Sequence, residues 1–95
     1  MTTNIDNLGT IAAEVAMRAA AEYVRANNLK VVDYQAATEC LRSCIKNRLA
    51  SALDDAKAAL DVGMGQAAEA TFRASMALAG IEATKEFASP ADYQP

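Results

Sequence analysis

A chain of 95 residues with no His, no Trp and only two Phe makes one domain with a modest core, close to the size at which small domains recruit a partner for stability. Without His, the commonest general base and metal ligand is missing, and a Ser or Cys nucleophile activated by imidazole is excluded within one chain. The net charge of −3 is too mild, and of the wrong sign, for a binder that relies on the charge of phosphate backbones.

The 23 alanines favour helix, yet each buries little apolar area, so assembly as a homodimer is the expected compensation. No apolar run approaches the roughly 18 residues that would span a bilayer. The opening MTTNIDNLGT lacks the basic region of a secretory signal. Two cysteines in such a chain point to a reducing, cytoplasmic setting.

The first predicted helix covers 5–26. Thr3 and Asp6 have the spacing of a capping box, and Ile5, Leu8, Ala12, Val15, Ala19 and Tyr23 recur at helical steps as an apolar stripe. Gly9 weakens the first turns and shifts the expected ordered start toward Thr10. Glu14, Arg18, Glu22 and Arg25 form a ladder of opposite charges, read as a solvated face. Asn27 and Asn28 end the helix, because Asn tolerates the left-handed conformation of a C-cap. Residues 29–32 read as an extended connection plugging the end of the bundle, too short for a sheet.

Asp33 is the N-cap of a second helix over 34–62, with Ala37, Leu41, Ile45, Leu49, Ala52 or Leu53, Ala56 and Leu60 on its inner face. At 1.5 Å per residue it would measure roughly 43 Å, against about 33 Å for its neighbours. Ser51 and Asp54 could cap a break, but neither Gly nor Pro interrupts the run, and continuity is the reading. Gly63 supplies the C-cap, Gln66 and Glu69 open a third helix over 66–88, and Ser89-Pro90 closes it. An extended tail, 89–95, completes the single domain.

The third helix organises the rest. Phe72, Met76 and Phe87 project to one side, while Leu78 and Ile81 project nearly opposite. Small residues between them, Gly80 and Ala83 among them, permit close helix approach. Such a segment is buried on more than one side, as the central helix or as a subunit interface. Phe72, Met76, Gly80, Ala83 and Phe87 are therefore the expected oligomer interface.

Chemistry is sparse. Asp54 and Asp55 point about 100° apart on a helix and do not make a dyad; Gly63-Met64-Gly65 is too short for a phosphate loop. Cys40 and Cys44 sit one turn apart, but two thiols fall short of a zinc site and read as small hydrophobes. No catalytic, cofactor or metal site is expected. Arg42 and Lys46 repeat one sign at i+4, mildly unfavourable unless another molecule supplies anions; with Arg48 they are the candidate partner-binding residues. The sequence thus predicts an all-α, up-and-down three-helix bundle. Its expected role is non-enzymatic, by contact with another protein, as a binding module, adaptor or inhibitor of the kind phages encode. The alternative is a nucleic-acid-associated protein using Lys30, Arg42, Lys46 and Arg48.

Overall fold

The computed structural model describes residues 5–91. Three helices, α1 (Ile5–Ala26), α2 (Tyr34–Asp61) and α3 (Gly65–Phe87), alternate with two short strands, β1 (Leu29–Val31) and β2 (Ala88–Pro90). The helices pack on one another as an all-α three-helix bundle with principal extents of 53 × 22 × 17 Å. α3 lies against both α1 and α2 over much of its length, whereas α1 and α2 touch each other far less.

Local chemistry accounts for the helix ends. Asn28 takes φ 51°, and the Asn27 amide donates to the Tyr23 carbonyl at 3.0 Å, so α1 stops where left-handed backbone is cheapest. Asp33 caps α2 by accepting from the Ala36 N–H at 3.0 Å. α2 then runs unbroken through Ser51 to Asp61. At its end Gly63 adopts φ 80°, its N–H reaching the Leu60 carbonyl and that of Met64 the Ala59 carbonyl, each at 2.9 Å. These are the two bonds of a Schellman motif.

α3 begins at Gly65 with Met64 as its N-cap, and no side chain closes that end. Gly9 does not delay α1, which is helical from Ile5. Thr3 of the expected capping box and residues 92–95 of the expected tail lie outside the described residues.

The expectation for the connection after α1 is corrected. Leu29–Val31 is a strand, paired antiparallel with Ala88–Pro90 in the register Leu29 with Pro90, Lys30 with Ser89 and Val31 with Ala88. The Ala91 N–H extends the ladder to the Asn28 carbonyl at 2.9 Å. Pro90, which has no N–H to give, stands at the strand terminus, where this is tolerated. The ribbon joins the exits of α1 and α3, so these two helices are parallel and α2 runs against both.

Packing differs between the two halves of the bundle. Away from the ribbon, Leu8, Ala12, Ala52, Ala56, Ala68, Phe72 and Met76 form one buried cluster, with Ile45, Leu49, Leu53 and Leu60 of α2 packed around it. Toward the ribbon the buried residues are almost all small: Ala16, Ala20, Ala37, Ala79, Gly80 and Ala83, with Thr84. Here the backbones meet. A Cβ built on Gly80 would lie 2.1 Å from the Ala16 carbonyl oxygen, so glycine is what allows α1 to sit on α3. Thr84, the one buried polar side chain among the described residues, satisfies its hydroxyl by donating to the Gly80 carbonyl at 2.7 Å.

Candidate functional site

The close approach of α1 and α2 to the small-residue face of α3 shapes the surface. Each outer helix sits on α3, and nothing large spreads between them, so a groove stays open along the α1–α2 side near the ribbon. Met17, Ala20, Ala21 and Val24 of α1 form one wall. Tyr34, Ala37, Thr38 and Leu41 of α2 form the other, and Leu29, Val31 and Phe87 close the ribbon end, around a volume of about 560 Å³. A smaller extension of about 220 Å³ continues past Met17 and Leu41 to Ala13, Arg42 and Ile45. Met17 and Tyr34 are 59% and 76% exposed, well above what apolar packing in a closed bundle would leave.

The charges of this groove are all of one sign. Arg25 and Lys30 line its ribbon end and Arg42 its far end, with no carboxylate among the lining side chains. None of the three takes part in an ion pair among the described residues. A second groove, between α1 and α3 and about 490 Å³ in volume, mixes Glu14 and Glu22 with Arg18 and Arg73. Its arginines are already engaged within their own helices, Arg18 with Glu14 at 2.9 Å and Arg73 with Glu69 at 3.0 Å.

The residues singled out in the sequence separate into distinct environments. Arg42 stands on the groove rim, and Lys46 is exposed one turn further along α2. Arg48 turns the other way. Its guanidinium bonds Glu82 of α3 through both carboxylate oxygens, with Nε to Oε2 at 3.2 Å, and so ties α2 to α3. Phe72, Met76, Gly80 and Ala83 are buried inside the single chain; a second copy reaches them only if the bundle opens. Phe87 is half-buried at the ribbon end of the groove. Leu78, on the opposite side of α3, is half exposed.

Of the groove residues, Met17 and Val24 lie outside the apolar stripe predicted for α1. Their signal was present as a second apolar row on α1, Ala13, Met17, Ala20 or Ala21 and Val24, at helical spacing. The stripe 5, 8, 12, 15, 19, 23 competes with it, having the same spacing. The fully buried row is Leu8, Ala12, Ala16 and Ala20, rotated so that Val15, Ala19 and Tyr23 are only half-buried.

Cys40 faces α3. Cys40 Sγ lies 3.3 Å from Glu86 Oε2 and 3.7 Å from the Ala83 carbonyl, both acceptors for its single proton. Burial first, then the hydrogen bond to Glu86 and the nearby Cys44, push the Cys40 thiol up to about 11, which keeps it protonated and a poor nucleophile at neutral pH. Among the described residues no group of three or more His, Cys, Asp or Glu is arranged to hold a metal ion, and no helix is long and apolar enough to cross a membrane. Comparison with protein-family models, curated proteins and solved structures finds no match to this chain.

Proposed function

We propose that this chain is a non-enzymatic protein-binding module, an adaptor or inhibitor, that receives its partner along the α1–α2 groove, with Arg42 on the rim and Lys46 beside it. One observation carries this reading: an apolar trough with half or more of Met17 and Tyr34 in water, bordered only by cations that have no ion-pair partner among the described residues. Contiguous apolar surface rimmed by polar groups marks interaction sites, and a polar rim around an apolar centre is the usual anatomy of a protein interface. Nucleic acid as the partner draws less support. With Arg48 committed to Glu82, the basic set reduces to Lys30, Arg42 and Lys46, with Arg25 at the ribbon end of the groove, few contacts for a phosphate backbone in a chain of net charge −3.

The test is partner capture or activity in the native host with Met17→Asp and with the double change Arg42→Glu and Lys46→Glu. These positions are exposed, so circular dichroism should report unchanged helicity while binding is lost. Full binding by both variants would remove the groove from consideration.

A further inference from the structure

We propose that the occupant of the α1–α2 groove is a single amphipathic α-helix of another protein, about three turns long, whose apolar stripe is flanked by carboxylates. This rests on the groove being the contact surface and adds what fills it. The shape comes first. Two antiparallel helices that both sit on a third, with a trough between them, leave the position that a fourth helix takes in a four-helix bundle. The α2 wall runs from Tyr34 to Ile45, about 17 Å at 1.5 Å per residue, which is three helical turns.

The lining fits the same occupant. Tyr34, Leu41 and Ile45 on one wall and Met17 and Val24 on the other stand at the intervals that accept i, i+3 or i+4 and i+7 anchors from a docked helix. Met17, unbranched and 59% exposed, can adapt to the shape of an incoming side chain.

Charge decides the flanks. Cations stand at both ends of the groove and no carboxylate lines it, so an occupant with acidic groups beside its apolar stripe is steered in and held in register, and a basic one is repelled. The α1–α3 groove makes no such selection, its signs being balanced. A second copy of this chain is disfavoured for the same reason. A two-fold contact places the same patch on both sides, which would set Arg25, Lys30 and Arg42 of one copy against those of the other.

The test uses Tyr34→Trp, which installs the only indole of a chain that has no Trp, at an exposed groove position. Two stapled helical peptides of about 14 residues share one Leu stripe, one flanked by Glu and the other by Lys. Binding is read from indole emission at about 50 mM and about 500 mM salt, because screening separates charge selection from apolar contact. The Glu-flanked peptide should shift the emission to the blue and bind about tenfold or more tighter at low salt, the preference falling to a few-fold at high salt. Adding Lys30→Glu and Arg42→Glu should invert the preference.

Equal or tighter binding of the Lys-flanked peptide would overturn the acidic occupant while leaving the groove as a contact surface. No emission change with either peptide would remove both. A blue shift that grows with protein concentration alone, matched by a dimer in sedimentation, would make a second copy the occupant and overturn the proposal.

Discussion

Replacing Gly80 with Ala tests how the bundle is held together. Alanine in a helix interior is favoured over glycine by about 1 kcal/mol, so an open position would gain stability. At Gly80 the added Cβ would stand 2.1 Å from the carbonyl oxygen of Ala16, 2.9 Å from its carbonyl carbon and 3.2 Å from its Cα. All three are backbone atoms that no rotamer change can move aside. Relief requires α1 to retreat from α3 by about 1 Å, a gap that forfeits a quarter to a half of the dispersion well of each contact it opens. Leu8, Ala12 and Ala20, buried on the same row of α1 as Ala16, would share the loss. Overfilling of this kind costs about 1–3 kcal/mol, which meets or exceeds the propensity gain. Urea unfolding followed by circular dichroism should therefore give a lower midpoint at unchanged slope. Gly9→Ala, where a Cβ meets nothing within 4 Å, should add about 0.5–1 kcal/mol of stability and so raise the midpoint. If both substitutions stabilise equally, α1 does not rest on α3 at Gly80.

Other changes isolate other parts of the structure. Gly63→Ala should cost about 1–2 kcal/mol in the same assay, because φ 80° places a Cβ in the left-handed region; no loss would mean that the α2 terminus is not a Schellman turn. Arg48→Ala should lower stability by at most about 1 kcal/mol, since Arg48 and Glu82 are both partly in water. It should leave partner binding intact, and equal damage to binding from Arg48→Ala and Arg42→Glu would contradict the separation of their roles. Cys40 is raised from 9.0 to about 11, so the folded state holds this proton more tightly than the unfolded chain. Its contribution is present below about pH 9 and is lost as pH rises toward 11. The loss of melting temperature between pH 8 and about 10.5 should be smaller in Cys40→Ala than in the parent; parallel curves would refute the upward shift of the half-buried Cys40 thiol.

The features legible in the sequence are those whose causes are local. Asn28, Asp33 and Gly63 act on their own turns of backbone, and each ends or begins a helix where its chemistry predicts. The centrality of α3 was also legible, since Gly80 weakens a helix unless close approach needs it and no charge stands between Ala74 and Ile81. The ribbon was not, because Leu29–Val31 finds its hydrogen-bond partner only after the whole of α2 and α3 has folded back. The groove escaped for a related reason. Helical periodicity identifies apolar rows but not which row meets a neighbour, and on α1 the row fully buried is the alanine row centred on Ala16, leaving Met17 beside it in water. Arg42 and Arg48 are separated in part by the sequence, since six residues on a helix set them about 120° apart, but only the fold places Glu82 across the helix interface to tie the Arg48 guanidinium.

The central claim is that contact with another protein is made in the α1–α2 groove, and site-specific photo-crosslinking in the native host tests it most directly. A photoreactive side chain replaces Tyr34 in the groove in one variant and, in another, Asp54, which is exposed on α2 beyond the groove. The Tyr34 variant should give one discrete protein adduct, lost when Arg42→Glu is added, and the Asp54 variant should give none. Adducts of equal yield from both positions, or from the Asp54 position alone, would contradict the account.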